Sequence, residues 1–244
     1  MHNSTKPQLF LAFSRVDALS PPLLAAISHD ERQKAETLAS ARRRAEYVCA
    51  RGLLRHLLQE ATGLPADSHV LSTTDTGKPI CSGGPGVSIS HAKGTVACAV
   101  ALTGDVGIDI EFTHANRDTR RLAKQYFSTV ENNWLDQQQE DSFYMLWVLK
   151  EAYLKILGSG LAGGLDRLQC RIEPPIIEAA LGLAVTCRLS LFKWSEAYVG
   201  LATTDIQGDE ISVLHWNPGI EQLIDTARLE KLAAGEARPN SSLY

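Results

Sequence analysis

The chain has 244 residues, of which 44% are hydrophobic and 21% charged, and these values are ordinary for a soluble globular protein. Its net charge of −4 gives no overall attraction to nucleic acid or to an acidic membrane surface, so any basic site must be local. The length is sufficient for one large core or for two compact lobes.

Neither a membrane nor an oxidising compartment is indicated by the sequence. The N-terminal residues lack the basic flank and apolar run of a secretory signal, and no stretch approaches the roughly 18 apolar residues of a membrane span. The five cysteines contain no C-x-x-C pair, which favours small core residues in a reducing compartment over disulfides or a zinc site. We therefore expect a cytoplasmic protein with no nucleic-acid or membrane partner.

The first half of the chain alternates between strand and helix patterns. Weak period-two alternation predicts the first strand, and apolar residues at helical spacing predict a long helix that Gly63 and Pro65 end. A glycine- and proline-rich loop then leads to two further strands. The predicted elements of this half are a strand over 9–16, a helix over 30–61, and strands over 87–89 and 96–102.

The second half begins with a strand over 106–111 and continues with helices. One or two short helices are predicted over 116–134 with a break near Ser128, and a strongly apolar helix over 142–157. Three more strands follow, and the last residues lose periodicity. The elements predicted after the helices are strands over 183–191, 197–203 and 211–216, and a flexible tail over 233–244.

The order of elements suggests an internal duplication. Each half offers a long helix followed by a strand, a turn and a strand, over 87–102 in the first half and 189–203 in the second. The predicted fold class is therefore α+β, with two similar α+β lobes. We expect the lobes to span 1–104 and 105–232.

Acidic residues on two predicted elements form the strongest candidate site. Asp109 and Glu111 alternate with Ile108 and Ile110, so they project from one face of a strand, and Glu151 and Lys155 share one face of a helix. Three carboxylates beside a lysine could converge on a hard cation such as Mg²⁺. The alternative is a solvated strand face and a surface ion pair worth only about 0.3–0.5 kcal/mol.

Basic and polar residues upstream could bind phosphate. Lys78 lies in a Gly-Lys-Pro turn, Ser90 and His91 follow a strand, and a band of arginines lies on the first long helix. The alternatives are a turn lysine, a locally bonded histidine and a solvated helix face. The G-x-G-x-x-G match at 158–163 follows a helix, so it does not predict a dinucleotide site.

Four ordered motifs together resemble the 4′-phosphopantetheinyl transferases, in the larger, pseudo-dimeric type that activates peptide and polyketide synthases. The last two motifs are the most specific in their order and spacing. The motifs lie at Gly77-Lys78-Pro79, Ser88-Ile89-Ser90-His91, Val106-Gly107-Ile108-Asp109-Ile110-Glu111, and Trp147 to Ala152 with Lys155 and Gly158-Ser159-Gly160-Leu161.

This resemblance implies Mg²⁺-dependent transfer of the phosphopantetheine arm of coenzyme A to a serine of an acyl or peptidyl carrier protein, with release of 3′,5′-ADP. It places the site in the cleft of an intramolecular pseudo-dimer, and so implies a monomer. Glu151 and Lys155 would be catalytic, with either Glu151 or a metal-bound water accepting the serine proton, and Asp109, Glu111 and Glu151 would bind the metal. The residues implied for coenzyme A are Arg44, Arg51, Lys78, Ser90, His91, Asp109, Lys150 and Lys155.

The resemblance also places carrier docking between the two acidic motifs. Aromatic residues at 126–128 and Trp134 would contact a helical partner, and basic residues would steer its acidic surface. Those basic residues are Arg117, Arg120, Arg121 and Lys124. Two alternatives stay open, namely a metal-dependent hydrolase of a nucleotide pyrophosphate such as coenzyme A and a non-catalytic coenzyme A-binding subunit.

Overall fold

A computed structural model describes residues 7–160, 164–174, 176–181, 185–205, 211–219, 222–225 and 229–239. Its contacts divide the chain into two compact units. The first comprises Met1–Thr74, Pro79–Asp105 and Asp205–Ala227, and the second comprises Asp75–Lys78, Val106–Thr204 and Arg228–Tyr244. Each unit combines helices with β-sheet, so the predicted α+β class is confirmed. No helix among the described residues combines the length and apolar character that crossing a membrane requires.

The first unit is a five-stranded sheet with the order β12-β11-β1-β5-β4 and a long helix packed on it. Its elements are β1 (Leu9–Arg15), α1 (Pro21–Ala26), α2 (His29–Glu36), α3 (Ala41–Thr62), the small hairpin β2 (Leu71–Thr73) and β3 (Pro79–Cys81), β4 (Gly86–Ala92), β5 (Thr95–Ala101), β11 (Ile211–Asn217) and β12 (Gln222–Asp225). Four leucines of α3 are completely buried and form its core face: Leu53, Leu54, Leu57 and Leu58.

The helix predicted over 30–61 is two helices, because the chain is interrupted at 37–40. Ser40 adopts an extended conformation and its hydroxyl accepts a bond from the Arg43 backbone N–H, which starts α3 anew. The periodicity of the apolar residues continues across this break, and for that reason the spacing alone did not reveal it.

The second unit is a six-stranded sheet with the order β6-β10-β9-β13-β8-β7. Its elements are β6 (Val106–Phe112), α4 (Thr119–Tyr126), α5 (Thr129–Leu135), α6 (Asp141–Leu157), β7 (Leu168–Glu173), β8 (Ile176–Leu181), β9 (Cys187–Trp194), β10 (Ala197–Thr203) and β13 (Leu229–Pro239). The predicted break near Ser128 is confirmed, because Ser128 and Glu131 form a capping box at the start of α5.

Close packing of α6 on the sheet depends on two glycines of neighbouring strands. A Cβ at Gly107 of β6 would overlap the Ala152 carbonyl, and a Cβ at Gly200 of β10 would overlap the Val148 carbonyl. Ala152 and Val148 are both completely buried. The helix therefore lies directly on the backbone of β6 and β10, and this fixes its side chains relative to those of β6.

Each unit contains the helix–strand–turn–strand order that the sequence suggested. In the first, α3 precedes the β4–β5 hairpin, and β5 pairs antiparallel with both β1 and β4. In the second, α6 precedes the β9–β10 hairpin, and β10 pairs antiparallel with both β6 and β9. The second strand of each hairpin, β5 or β10, is thus antiparallel to both of its neighbours.

Two features of the sheets differ from the predictions. Strands β11 and β12 were assigned to the second lobe, 105–232, but β11 pairs parallel with β1 in the first unit. The predicted tail over 233–244 is wrong for 233–239, since β13 pairs with β9 and β8 and buries Ala233 and Ala237. Residues 161–163, 183–184 and 240–244, on which parts of the predicted loop, strand and tail fall, lie outside the described residues.

Candidate active site

The two acidic motifs of the sequence come together in the second unit. On β6, Ile108 and Ile110 are buried in the core, and Asp109 and Glu111 alternate with them. Helix α6 packs on this strand. The ammonium of Lys155 donates to Asp109 Oδ1 at 2.7 Å and to the Ile108 carbonyl oxygen at 2.7 Å. These bonds connect the acidic face of β6 directly to the last turn of α6.

A second cation lies beside the other carboxylate of β6. Arg117 Nη1 is 3.2 Å from Glu111 Oε1, and both side chains are about a quarter exposed. The Arg117 guanidinium also lies over the Trp147 ring of α6, 4.9 Å from its centroid. Stacking on the indole restricts the guanidinium and aims one edge at the carboxylate. Arg117 thus connects the end of β6 with the middle of α6.

The carboxylates of the site influence one another electrostatically. Burial raises the pKa of Glu151 to about 7, with further upward contributions from the charges of Asp109 and Glu111, while Lys155 and Arg117 oppose the shift. Burial and the charge of Asp109 likewise raise the pKa of Glu111. Glu151 is consequently a carboxyl group that exchanges its proton near neutral pH, as a general base or acid must.

The donor chemistry of this site suits a hard divalent cation, because Mg²⁺ prefers carboxylate oxygens. Among the residues that the structure describes, however, no three His, Cys, Asp or Glu side chains are arranged to hold one metal ion. Two protein cations, Lys155 and Arg117, instead neutralise Asp109 and Glu111. The case for a metal at this site therefore depends on its carboxylate ligands and on the electrostatic interaction between those carboxylates.

The structure contradicts the prediction that Lys150 binds coenzyme A. Its side chain is fully buried, with the ammonium 2.7 Å from Glu131 Oε1 and bonded to the backbone carbonyls of Leu165 and Leu168. Glu131 also accepts a bond from the Cys170 backbone N–H at 2.8 Å. The pair joins α5, α6 and the start of β7, so the Lys150 ammonium is held by partners inside the core.

Lys78 lies at the C-terminal end of α6 in the second unit. Its ammonium donates to the Ile156 carbonyl at 2.7 Å, and the neighbouring Thr76 hydroxyl donates to the Gly158 carbonyl at 2.6 Å. Both side chains come from the loop between β2 and β3. The predicted phosphate lysine is thus attached to the same helix that carries Glu151 and Lys155.

The other predicted coenzyme contacts belong to the first unit. Ser90 on β4 is buried, and His91 is more than half exposed with its Nδ1 3.9 Å from Glu46 Oε2. Arg44 donates to the Leu38 carbonyl at 2.6 Å and is half-buried. The structure contradicts the prediction that Arg51 binds coenzyme A.

Arg51 is a core residue of the first unit. Its side chain is only 7% exposed, and Nη1 lies 3.9 Å from Glu31 Oε1, while Arg55 Nε lies 2.8 Å from the other oxygen of the same carboxylate. The arginine band on α3 therefore divides into a buried pair that ties α3 to α2 and residues such as Arg44 nearer the helix start. Sequence spacing did not separate these two groups because Glu31 belongs to another helix.

Of two residues in the site environment, one was predicted in another role and one was not assigned. Arg117 was considered for partner steering, whereas its structural partner is Glu111. Glu131 was not assigned at all, although the spacing from Ser128 to Glu131 is a capping-box signal. The aromatic prediction at 126–128 also changes, since Phe127 is buried and stacks on Phe143 at 5.4 Å.

Comparison with known proteins agrees with this assembly. The sequence profile of the 4′-phosphopantetheinyl transferase superfamily matches residues 105–199, and that of the 4′-phosphopantetheinyl transferase N-terminal domain matches 30–101. The 4′-phosphopantetheinyl transferase HetI of Nostoc sp. is 31% identical over 161 residues, covering 62% of this chain and 68% of the relative.

Other relatives carry related names. A 4′-phosphopantetheinyl transferase of Bacillus subtilis is 31% identical over 157 residues, covering 62% of this chain and 69% of the relative. The L-aminoadipate-semialdehyde dehydrogenase-phosphopantetheinyl transferase of Mus musculus is 26% identical over 180 residues, covering 66% and 58%.

The fold and the site define an α+β enzyme whose second unit carries coupled carboxylates paired with a helix lysine. On the identity and coverage of these relatives, the chain belongs to the 4′-phosphopantetheinyl transferase superfamily. Its activity is accordingly that of a holo-carrier-protein synthase, an enzyme that transfers a phosphopantetheine group to a carrier protein.

Proposed function

We propose that this transferase takes its phosphopantetheine arm from coenzyme A with the help of Mg²⁺ and releases 3′,5′-ADP. The observation that carries the proposal is the joining of β6 and α6 around Asp109, where Lys155 binds and where Glu151 acquires a pKa of about 7. Phosphoryl transfer depends on neutralising phosphate charge and on activating the attacking hydroxyl, and this site offers groups for both.

Asp109, Glu111 and Glu151 would hold the Mg²⁺, whose contribution when bound is to neutralise the pyrophosphate. Lys155 would stabilise the same negative charge from the end of α6, since its ammonium already lies against an acidic group. Lys78, Ser90 and His91 would contact the phosphates and the adenosine end, with Arg44 as a further candidate. We further propose that the protein acts as a monomer in the cytoplasm.

Glu151 is the proposed proton acceptor for the carrier serine. A serine hydroxyl is a weak nucleophile until its proton is removed, and a base is most effective when its pKa lies near the working pH. Burial and the charge of Asp109 bring the pKa of Glu151 into that range. The same carboxylate would also be a metal ligand, and a bound metal would lower its basicity.

The carrier would dock on α4 and α5, beside a pocket of about 360 Å³ whose lining holds the basic side chains of Arg117, Arg120 and Lys124 and the acidic ones of Asp118, Asp136 and Glu140. Arg120, Arg121 and Lys124 are exposed on α4, and Phe143 contributes to the pocket wall. An acidic helical carrier would be steered there by charge. Trp134 is only partly exposed and could join this surface, whereas Phe127 belongs to the core.

Glu151→Gln tests the proposed chemistry. The variant should still bind coenzyme A, because the amide keeps the shape of the side chain, but it should lose transfer by about 100-fold or more since it accepts no proton. Holo-carrier formation is measured by the mass increase of an apo-carrier, and coenzyme A binding by calorimetry. Near-normal turnover of Glu151→Gln would remove Glu151 from the reaction.

The same assay separates transfer from hydrolysis. Wild-type protein is incubated with coenzyme A and Mg²⁺, with and without apo-carrier, and 3′,5′-ADP is quantified. A transferase releases 3′,5′-ADP only with the carrier, whereas a pyrophosphate hydrolase would release it equally in both mixtures. Binding without any product in either mixture would indicate a non-catalytic coenzyme A-binding protein.

A further inference from the structure

The loop between β2 and β3 attaches to the end of α6 through two side chains. Thr76 Oγ1 donates to the Gly158 carbonyl at 2.6 Å, and Lys78 Nζ donates to the Ile156 carbonyl at 2.7 Å. The last carbonyl groups of a helix have no backbone N–H partner within the helix, so side chains commonly donate hydrogen bonds to them. These two bonds form what we term the loop clamp, made by Thr76 and Lys78 on Ile156 and Gly158.

The helix end is shaped to receive the loop clamp. Gly158 ends α6 with a left-handed φ of 66°, and a Cβ built there would lie 3.3 Å from Lys78 Cδ. The lysine stem therefore packs across the glycine, and its ammonium meets the negative end of the helix dipole. Lys78 is half-buried here, whereas Thr76 is exposed. A lysine in this position has a defined direction even without a ligand.

We propose that Thr76 is a positioning residue for the transfer reaction, because its bond to Gly158 holds the loop so that Lys78 and Lys155 are presented to the same coenzyme. This inference rests on the proposed function. Lys155 immediately precedes Ile156, so one helix end orients both ammonium groups: Lys155 through the helix itself and Lys78 through the loop clamp.

In the loop clamp, the exposed Thr76 hydroxyl would hold the loop before coenzyme A binds. Fixing a long lysine side chain costs conformational entropy, and a loop held in advance reduces the part of that cost that falls on binding. The bond from Thr76 is short and links residues 82 positions apart in the sequence. Without it, more of the cost of ordering the loop would fall on the binding of coenzyme A.

Thr76→Val tests the inference, since valine keeps the shape and removes the donor. The dissociation constant for coenzyme A, measured by calorimetry on the full chain without carrier, should rise about fivefold, the equivalent of about 1 kcal/mol. KM for coenzyme A should rise similarly while kcat and the KM for carrier stay within about twofold. Thr76→Ser should restore wild-type binding, and Thr73→Val, an exposed position on β2, should leave binding unchanged.

A double-mutant cycle shows whether Thr76 acts through Lys78. In a Lys78→Met background the Thr76→Val change should alter coenzyme A binding less than twofold, because the residue that Thr76 positions is no longer present. A full fivefold effect in that background would overturn the positioning role. Unfolding midpoints of all variants are compared so that a general loss of stability is recognised.

The two proposals fail in different ways. If the wild-type protein does not bind coenzyme A at all, the proposed function is overturned together with this inference. If the wild-type protein binds and transfers normally but Thr76→Val does so equally well, only the role of Thr76 is overturned. Loss of kcat without any change in coenzyme A binding would also contradict it.

Discussion

Glu151 combines a buried position with two acidic neighbours, and its protonation should therefore affect stability. Burial raises the pKa of Glu151 from 4.5 to about 7, with the charge of Asp109 as the next cause. A carboxyl group with a raised folded-state pKa binds its proton more tightly in the folded protein than in the unfolded chain. Its contribution to stability is fully present below about pH 4.5 and is lost as the pH rises to about 7.

Glu151→Gln should accordingly stabilise the metal-free protein at pH 8 but not at pH 5. We expect the difference in unfolding free energy to reach on the order of 1–2 kcal/mol, after allowance for solvent screening of a partly exposed group. Urea denaturation in the presence of a chelator at both pH values measures it. Glu178→Gln, at an exposed position of β8, is the control, and parallel pH profiles for wild type and Glu151→Gln would contradict the argument.

The buried pair of Lys150 and Glu131 should be costly to break from one side. Lys150→Met leaves the Glu131 carboxylate in the core without its counter-charge, which typically costs about 3–5 kcal/mol. The double variant Lys150→Met with Glu131→Gln should recover a large part of that loss. Arg171→Ala, which removes an exposed pair with Glu173, should cost less than about 1 kcal/mol in the same urea titration.

Sequence patterns were sufficient for the acidic face but not for its surroundings. Alternation along β6 and the four-residue spacing of Glu151 and Lys155 depend only on local geometry, so they predicted which side chains share a face. The positions of Arg117 and Lys150 depend on how the chain returns after β6 and on where α5 packs. These positions do not follow from any local sequence period. For that reason Lys150 was predicted to bind coenzyme A, although its side chain lies in the core.

Helix α6 can lie directly on β6 because Gly107 has no side chain at the contact. Gly107→Ala should cost about 1–3 kcal/mol through overpacking, because the new methyl group overlaps the Ala152 carbonyl. It should also lower kcat more than tenfold, since a shift of α6 moves Glu151 relative to Asp109. Denaturation and turnover are measured on the same preparation.

Gly63→Ala is the matched control for this prediction. Gly63 ends α3 in a left-handed conformation with φ of 74°, and no atom lies within 4 Å of a Cβ built there. The control should cost about 1 kcal/mol from backbone strain and leave kcat unchanged, because it touches no residue of the site. Equal losses of kcat in both glycine variants would show that the rate depends on overall stability instead of on helix placement.

Helices and hairpins were predicted more accurately than the joining of strands. The strong helix over 142–157 and the strands around 87–102 and 197–203 correspond to α6, to β4 and β5, and to β10. Strand β13 was missed because its residues 229–239 contain small and charged side chains with little alternation. It pairs with β8 on one side and with β9 on the other, and such pairing depends on the assembled sheet more than on the strand's own residues.

For the molecule as a whole, β13 should be indispensable. It lies between β9 and β8 in the six-stranded sheet, and Ala233 and Ala237 are buried there. Removal of 229–244 should abolish cooperative unfolding of the second unit, because it deprives two strands of their hydrogen-bond partner. Removal of 240–244 keeps β13 and serves as the comparison in thermal and urea denaturation. Cooperative unfolding of the longer truncation would disprove this expectation.

The parallel pairing of β1 with β11 has a consequence for biosynthesis. The sheet of the first unit begins near the N-terminus but receives β11 and β12 only after most of the second unit has left the ribosome. The second sheet in turn waits for β13, which is translated later still. Each unit completes its sheet only with a strand that is translated late, so a nascent chain stalled before Ile211 should be protease-sensitive in both halves.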